Sequence, residues 1–257
     1  MPTAPGFDPV ILSAGRLRLT LLPYGLTLHA LEVLPHPASA CASACASATG
    51  PTAVRDLLVG PATPAEHHHS HPSGRKFLNQ TVGRYANRLP AGRSVLPSGA
   101  VLELGGADGV CLHGGRAGLD TVVWDVRPAD QSELFAEADV PAGSALFGYE
   151  SEAGAGGFPL RLAFEGLVSV VPSGERLSLG TVRVQLRARI VEEGRAEERS
   201  GTPVNATVHW GFNLADLVGG AEGETGAQAH KLFVDVSTAP NLSNRCSQDG
   251  ADAGTRV

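Results

Sequence analysis

Cysteine is scarce in this sequence, and no segment resembles an export signal or a membrane anchor. The four cysteines, Cys41, Cys45, Cys111 and Cys246, are too few and too unevenly spaced for a disulfide framework. The first residues, Met-Pro-Thr-Ala-Pro-Gly, lack the charged start and apolar core of a signal peptide. No run approaches the roughly 20 apolar residues that a membrane-spanning helix needs. We therefore expect free thiols in a reduced, cytoplasmic protein that does not enter a membrane.

The chain also lacks clustered positive charge. Its formal net charge is −6 at pH 7, and its lysines and arginines are scattered along the sequence. Nucleic acids and anionic membrane surfaces select proteins with clustered lysine and arginine. The sequence therefore predicts a partner that is neither a nucleic acid nor a membrane, and it leaves the oligomeric state open.

Glycine and proline, in contrast, are abundant. The 257 residues include 32 glycines and 18 prolines, so turns must be frequent. Hydrophobic residues make up 42% of the chain, which is ample for a buried core. These features favour many short strands over a bundle of helices. We therefore predict an all-β fold, built as a large antiparallel β-sandwich.

Short apolar or alternating runs, bounded by turn residues, predict the individual strands. They cover residues 10–12, 17–21, 26–31, 54–60, 95–104, 122–126, 145–149, 160–171 and 182–191. In the last run, apolar residues alternate with Arg183, Gln185, Arg187 and Arg189. This period of two predicts one face against a core and a basic face toward solvent or a cleft.

Two stretches have the composition of loops. Residues 35–51 are rich in proline, alanine and serine, which leaves little to bury. Residues 61–75 contain four histidines, and a histidine cluster can bind a metal ion. Adjacent histidines diverge, however, and no cysteine, aspartate or spaced second pair completes a site. We therefore favour a solvated loop without a metal.

Three short segments carry side chains suited to binding or to proton transfer. In residues 79–89, Asn87 and Arg88 offer fixed donors to hydroxyl oxygens, although a salt-bridged strand end explains them equally well. His113 precedes two glycines, where the backbone can turn tightly toward a ligand or simply form a loop. His209 lies among apolar residues, so it is either a buried core histidine or a group poised for acid–base chemistry.

These segments and two shorter matches, taken in order, resemble the aldose 1-epimerase (galactose mutarotase) family. The family carries Gly-Arg-x-Ala-Asn-Arg, Leu-His-Gly-Gly, a tryptophan, Gly-Phe/Tyr-Pro and Thr-Pro-x-Asn-x-Thr-x-His-x-x-Phe-Asn-Leu. The corresponding positions in this chain are 83–88, 112–115, Trp124, 157–159 and 202–214. The resemblance covers about residues 10–236. It implies the galactose mutarotase-like β-sandwich, or supersandwich, in a domain of residues 1–240.

The resemblance implies an isomerase that interconverts the α and β anomers of aldoses such as galactose and glucose, without a metal or organic cofactor. By the same resemblance, His209 is the general acid at the ring oxygen, and His113 is the second catalytic histidine, which hydrogen-bonds the sugar. Asn87 and Arg88 are expected to bind sugar hydroxyls. Ring opening adds a proton at the ring oxygen and removes one at O1, which suits two titratable groups with separated pKa values.

The chain departs from the family pattern in two places. Gly211 stands where the family has an aromatic residue with a hydroxyl group, and Trp210 is expected to point away from His209. Asp235 lies two residues before the position of the family's substrate-binding aspartate, and no counterpart of the C-terminal catalytic glutamate is found. We therefore expect residues 241–257 to form a disordered tail. We also expect the sandwich to be incomplete at its C-terminus, with exposed sheet edges. The sequence does not identify the general base.

Three other functions remain open from the sequence. The first is a catalytically impaired carbohydrate-binding protein, which keeps the hydroxyl contacts without the base. The second is a relative of hexose-phosphate 1-epimerases, for which Arg84, Arg88 and Arg93 are candidate phosphate ligands. The third is a structural β-sandwich that only binds a partner. The free-sugar isomerase is preferred because the Leu-His-Gly-Gly and Phe-Asn-Leu motifs match it.

Overall fold

Antiparallel strands make up most of the regular structure. The computed structural model describes residues 6–35, 54–72, 75–173, 179–191 and 201–213, which belong to one compact unit that ends at Asn213. Within these ranges the helical segments are single 3-10 turns of three or four residues, and the paired strands are antiparallel. The prediction of an all-β, antiparallel fold is therefore confirmed.

The strands, in chain order, are β1 (Val10–Ala14), β2 (Leu17–Leu22), β3 (Thr27–Val33), β4 (Arg55–Asp56), β5 (Thr81–Val82), β6 (Arg88–Pro90), β7 (Gly92–Val95), β8 (Val101–Leu104), β9 (Val110–Leu112), β10 (Asp125–Arg127), β11 (Ala145–Ser151), β12 (Leu162–Val171), β13 (Thr181–Ile190) and β14 (Thr207–Val208). The 3-10 turns are Pro64–His67, Gly115–Ala117, Leu119–Thr121, Ala129–Gln131, Glu137–Asp139 and Ala155–Gly157.

One four-stranded sheet has the order β1-β2-β3-β4. Alternation along β2 places Leu17, Leu19 and Leu21 in the main hydrophobic core. The register with β3 shifts between Thr20 and Leu21, as in a β-bulge, and Leu22 is buried as well as Leu21. The sheet therefore contributes one leucine-rich face to the core, as its sequence pattern predicts.

Strand β4 is shorter than the predicted strand of residues 54–60. The Oδ1 atom of Asp56 accepts hydrogen bonds from the backbone N–H groups of Leu31, at 2.9 Å, and Leu58, at 3.0 Å. The carboxylate thus occupies donors that a strand partner would otherwise bind, and regular pairing ends after two residues.

A second four-stranded sheet has the order β10-β11-β12-β13. Strand β12 is buried along nearly its whole length because it is covered on both sides. Phe164 and Val168 pack into the main core, whereas Leu167 packs with Phe135 and Leu146 in a separate cluster. This double cover explains why the sequence of β12 has so few polar residues.

The basic face of β13 is exposed, as the alternation predicts, and two of its arginines also contact a neighbouring loop. Arg187 donates to the carbonyl of Leu134 at 2.6 Å, and its guanidinium lies 4.3 Å from the ring centroid of Phe135. Arg189 forms an ion pair with Glu133 at 2.6 Å. These two arginines therefore bind residues 133–135 while they remain exposed, and the predicted solvent-facing basic face is confirmed. The opposite, apolar face of β13 is only half-buried.

The histidine-rich segment is more structured than a solvated loop. It forms the 3-10 turn Pro64–His67, in which His67 is buried, with its Nε2 atom 3.1 Å from Nδ1 of His29. The hydroxyl of Tyr24 lies 2.8 Å from Nδ1 of His69. Two of the histidines therefore have partners on the first sheet or beside it, and the expectation of a solvated loop is wrong for His67.

Cys111 is a free, buried cysteine in β9, and the other three cysteines lie outside the described residues. The predicted low-complexity loop at 35–51, apart from Pro35, also lies outside the described ranges, as do Asp235 and the 241–257 segment. In the described part of the chain, no helix has both the length and the apolar character needed to span a bilayer.

Candidate functional site

His113 and His209 lie against each other although they come from distant parts of the chain. Their ring centroids are 5.2 Å apart, and the rings are nearly perpendicular, at 82°. The Phe77 ring packs edge-on to His113 at 4.6 Å and lies 6.3 Å from His209. The structure therefore brings both sequence-predicted histidines to one place and adds an aromatic wall that the sequence did not indicate.

The position of His113 depends on a tight backbone turn after β9. His113 and Gly114 have positive φ angles of 52° and 88°. A Cβ atom on Gly114 would lie 1.9 Å from the carbonyl oxygen of Gly83, so only glycine fits there. The motif Leu-His-Gly-Gly therefore has a local physical reason, because Gly114 lets the histidine segment approach the backbone of Gly83, just after β5.

Asn87 fixes the ring of His113 through its backbone. The N–H of Asn87 donates to Nδ1 of His113 at 3.0 Å, and the N–H of His113 donates to the carbonyl of Asn87 at 2.9 Å. Asn87 itself has a positive φ of 66°, a strained conformation that this reciprocal pair helps to hold. Since Nδ1 is an acceptor here, the proton of the neutral ring lies on Nε2.

The electrostatic surroundings also keep His113 neutral. Burial of the ring lowers the pKa of His113, and the charges of the neighbouring His209, Arg75 and Arg88 act in the same direction more strongly than Asp120 opposes them. At neutral pH, His113 is therefore an uncharged group that offers one Nε2–H donor.

Backbone hydrogen bonds to residues 79 and 80 position His209. Its N–H donates to the carbonyl of Gln80 at 2.9 Å, and its carbonyl accepts from the N–H of Asn79 at 2.8 Å. Within residues 202–213, Thr207–Val208 form the regular strand pairing, with β5. The His209 side chain is exposed, and no described residue hydrogen-bonds to its ring. Within the described part of the chain, its ring nitrogens are therefore open to contact with a substrate.

The buried side chain of Asn79 holds the segment around His209 in place by two hydrogen bonds. Its Nδ2 donates to the carbonyl of Val59 at 3.0 Å, and its Oδ1 accepts from the N–H of Gly211 at 2.8 Å. Trp210 packs toward the main core and stacks on Phe212 at 5.2 Å, so it does not share the surroundings of His209. Asn79 was part of a segment noted in the sequence, but its clamping role depends on contacts that only the fold creates.

An ion pair between Arg75 and Asp120 lies next to Phe77. Arg75 forms a bidentate ion pair with the buried carboxylate of Asp120 and donates to the carbonyl of Gly115 at 2.8 Å. Its guanidinium also lies 4.7 Å from the ring centroid of Phe77. The side chain of Gln80 donates to the carbonyl of Asp120, which links this ion pair to the residue that binds His209. No local pattern in the sequence pointed to Arg75 or Asp120.

Asn87 and Arg88 lie at the exposed rim beside His113. Nη1 of Arg88 donates to Oδ1 of Asn87 at 3.0 Å, and Arg88 pairs with Leu112, the residue before His113, across β6 and β9. The four sequence-predicted site residues Asn87, Arg88, His113 and His209 are therefore neighbours in the fold.

A cavity of about 1050 Å³ opens next to the histidine pair. Its wall includes Phe77, which packs on His113, and Arg88, which binds Asn87. The remaining charged residues in the wall are Arg75, Asp108 and Arg116. The cavity therefore adjoins the site rather than lying between the two histidines.

Arg84, the first arginine of the Gly-Arg-x-Ala-Asn-Arg motif, has a structural role. It is buried, and its guanidinium donates to Oγ and the carbonyl of Ser151 and to the carbonyls of Glu152, Pro159 and Leu160, at 2.6–3.0 Å. These bonds use all the donors of the guanidinium, so the expectation that Arg84 could bind a phosphate is wrong.

Two other motif positions also belong to the core. Trp124 is 1% exposed, and its indole N–H donates to the carbonyl of Leu119 at 3.3 Å. Phe158, in the Gly-Phe-Pro motif, is 1% exposed and packs with Leu102 and Leu104. These residues support the fold around the site without lining it.

Comparisons with known proteins give a consistent relationship. No protein-family model matches the sequence. The chain is similar to galactose mutarotase from Sus scrofa, with 28% identity over 210 residues that cover 79% of this chain and 46% of that protein. It is also similar to aldose 1-epimerase from Escherichia coli (strain K12), with 30% identity over 164 residues that cover 63% of this chain and 38% of that protein. The chain thus spans less than half the length of these curated relatives.

The fold comparison points the same way. A GalM/aldose epimerase homologue from C. elegans superposes with a TM-score of 0.56 at 19% identity, over 80% of this chain and 50% of that one. At this identity the likeness shows a shared fold. The sequence is thus similar to curated proteins named galactose mutarotase and aldose 1-epimerase, and its fold is similar to that of an aldose epimerase homologue.

Proposed function

We propose that this chain binds an aldohexose beside His113 and His209 and interconverts its α and β anomers by acid–base ring opening. The observation that carries the proposal is the perpendicular histidine pair at 5.2 Å, held by backbone hydrogen bonds from two separate segments. The names of the curated relatives, galactose mutarotase and aldose 1-epimerase, support the same reaction and a sugar as the partner.

The two histidines differ in the role that their surroundings favour. His113 accepts a backbone N–H at Nδ1 and has a lowered pKa, so it suits a neutral donor that holds a sugar oxygen through Nε2–H. His209 has an exposed ring without a partner among the described residues, so it suits the group that delivers a proton. This division matches the roles that the family resemblance implies.

In the proposed reaction, His209 gives a proton to the ring oxygen while the C1–ring oxygen bond breaks. A base takes the proton from the O1 hydroxyl, and the C1–O1 bond becomes the carbonyl of the open-chain aldehyde. Rotation about C1–C2 and reclosure, with the protons returned, give the other anomer. We assign the base to no described residue. A positioned acid or base typically contributes about 10²–10⁴-fold to such a rate.

Asn87 and Arg88 supply hydroxyl contacts in this proposal. Both side chains are exposed at the rim, and their mutual hydrogen bond at 3.0 Å leaves most donors of the guanidinium available. The expected cytoplasmic location is retained as a prediction from the sequence.

Polarimetry of freshly dissolved α-galactose and α-glucose tests the proposal. We expect the purified chain to accelerate the approach to anomeric equilibrium and the His209→Ala variant to lose most of that acceleration. His69→Ala is the matched control, because His69 is exposed on a different segment and should leave the rate unchanged.

Relaxation at the spontaneous rate with folded protein would contradict catalysis. Sugar binding detected in that same sample would instead favour the non-catalytic carbohydrate-binding alternative, in which the rim contacts remain without a functioning base.

A further inference from the structure

One buried carboxylate near the histidine pair has no part in the proposed proton transfers. Asp120 is 1% exposed, and both of its carboxylate oxygens accept hydrogen bonds from Arg75. Burying a carboxylate is costly unless it is paired, and Arg75 supplies that pairing. A carboxylate enclosed in this way cannot contact a sugar hydroxyl. Asp120 is therefore not the unassigned base, and any effect it has on the reaction passes through its neighbours.

The ion pair extends from Asp120 to the aromatic wall of the site. The guanidinium of Arg75 lies 4.7 Å from the ring centroid of Phe77, as in a cation–π contact. The same ring packs edge-on to His113 at 4.6 Å and lies 6.3 Å from His209. The ion pair therefore holds the ring that lies against both histidines.

Phe77 depends on such a contact because its backbone conformation is strained. Its φ is 58°, in the left-handed region that bulky residues rarely adopt. A conformation of this kind persists only where surrounding contacts hold it. The side chain is only half-buried, and the guanidinium of Arg75 is the contact on the ring face. Loss of the ion pair should therefore release both the ring and the backbone that carries it.

Asp120 is also linked to the backbone segments of both histidines. The buried side chain of Gln80 donates to the carbonyl of Asp120 at 3.0 Å, and the carbonyl of Gln80 accepts the N–H of His209 at 2.9 Å. On the other side, a Cβ atom on Gly118 would lie 2.5 Å from Oδ1 of Asp120 and 2.8 Å from the carbonyl oxygen of His113. The ion pair therefore packs closely against the segment that carries His113.

We propose that Asp120 is a positioning residue for the proposed reaction and that it acts through Arg75 on the Phe77 ring. This inference rests on the proposed function, because it assumes that the histidine pair transfers protons at the sugar. The ring in turn sets the distance and the angle between His113 and His209. A displacement of about 1 Å can cost about 10²-fold in rate. Asp120 therefore affects the rate without touching the substrate.

Polarimetry of α-glucose mutarotation at several sugar concentrations tests this assignment with Asp120→Asn, which keeps the shape of the side chain and removes its charge. We expect kcat to fall about 10–100-fold, because the histidine rings are displaced. KM should stay within about threefold of the parent value, since Asn87 and Arg88 at the rim are untouched. An unchanged kcat in folded Asp120→Asn would overturn the proposal.

Glu32→Gln is the matched control. Glu32 forms another bidentate ion pair, with Arg18, on the first sheet, so the variant removes the same kind of charge away from the histidine pair. Its kcat and KM should equal those of the parent chain. An equal fall in kcat in Glu32→Gln and Asp120→Asn would show a general effect of losing an ion pair and would overturn the assignment.

A double-mutant cycle tests the path through Arg75. Arg75→Gln alone should lower kcat as much as Asp120→Asn does, and the double variant should lower it no further. If the two losses multiply, Asp120 does not act through Arg75 and the assignment is wrong. Arg75→Lys keeps the charge without the paired geometry, so it should recover part of the rate lost in Arg75→Gln. If Asp120→Asn does not fold, a parent-like kcat in Arg75→Gln overturns the proposal.

Proton–carbon NMR of the histidine rings separates positioning from a general loss of stability. The His113 signals, identified by their absence in His113→Ala, report the ring current of the neighbouring Phe77. They should shift in Asp120→Asn, whereas the signals of the exposed His69 should stay in place. Unmoved His113 signals in Asp120→Asn would overturn the assignment.

The parent chain separates failure of this proposal from failure of the proposed function. If the parent chain does not accelerate mutarotation, the proposed function fails and the positioning role fails with it. If the parent chain accelerates mutarotation and folded Asp120→Asn does so equally well, only the positioning role fails.

Discussion

Gly114 shows how one residue determines whether the site can form. Its φ is 88°, and a Cβ atom there would meet the carbonyl oxygen of Gly83 at 1.9 Å. Gly99 has a similar φ of 83°, but a Cβ atom at that position meets nothing within 4 Å. Both glycines therefore need a left-handed backbone conformation, but a side chain would clash with its neighbours only at Gly114.

We predict that Gly114→Ala lowers the free energy of unfolding by at least about 4 kcal/mol, because strain and a backbone clash combine. Gly99→Ala should cost only about 1–2 kcal/mol, the penalty for an L-residue in the left-handed region. Urea unfolding followed by circular dichroism measures both. Equal losses for the two variants would show that the close approach to Gly83 does not matter.

Asn79 stabilises the same region through hydrogen bonds of its buried side chain. Its buried amide binds the carbonyl of Val59 and the N–H of Gly211, and its φ of 59° suits asparagine better than alanine. Asn79→Ala should lower the free energy of unfolding by about 2–4 kcal/mol, since two buried groups lose their partners. The exposed Asn205 is the control, and Asn205→Ala should change stability by less than about 0.5 kcal/mol.

At this scale, sequence reasoning named four residues that the fold brings together. Asn87, Arg88, His113 and His209 were predicted through the family resemblance, and the fold brings them together. Arg75, Phe77 and Asp120 were missed because their roles arise from contacts with residues far away in the sequence, such as the ion pair between residues 75 and 120. A charged side chain in a polar segment gives no local sign of such a partner.

At the scale of elements, alternating patterns located strands better than they located strand partners. The runs 10–12, 17–21 and 145–149 lie within β1, β2 and β11. The run 122–126 predicts a strand that begins three residues before the observed strand β10, Asp125–Arg127. The reason is that the backbone groups of Val122 and Trp124 hydrogen-bond to the loop at residues 23–25. Periodicity reports which residues are apolar, and it does not report which backbone groups are already occupied.

The histidine segment packed against the first sheet gives a prediction for acid stability. Burial, and next the charge of His29, lower the pKa of His67 to about 4 from an ordinary value of 6.5. The unfolded chain therefore takes up a proton at this histidine before the folded chain does. The stabilisation is complete above pH 6.5 and is lost as the pH falls from 6.5 toward 4.

Between pH 7.5 and 5 we expect His67 to account for a loss of about 2 kcal/mol in the free energy of unfolding. The pKa of His29 is also lowered by burial, so this group adds to the loss. Urea unfolding at several pH values measures the slope. The His67→Gln variant should show a shallower slope, and the exposed His69→Gln variant should match the parent chain. An unchanged slope in His67→Gln would contradict the assignment of this pH dependence to the buried His67.

At the scale of the whole molecule, the described residues present a β-rich scaffold whose loops and strand ends meet at the histidine pair. His113 follows β9, His209 follows β14, and Phe77 precedes β5, so three separate strands set the geometry. The all-β class followed from the sequence through its turn residues and short apolar runs. The layout of the sheets did not, because it depends on pairings between distant segments.

The central claim is that this histidine pair catalyses the interconversion of sugar anomers. Exchange NMR on an equilibrium mixture of α- and β-glucose measures that interconversion directly, through magnetisation transfer between the two anomeric protons. We predict transfer that increases with the concentration of the chain and falls by at least about 100-fold in His209→Ala, as expected for loss of a positioned acid. Transfer in the parent chain no faster than in buffer, or equal transfer in the parent chain and His209→Ala, would contradict the claim.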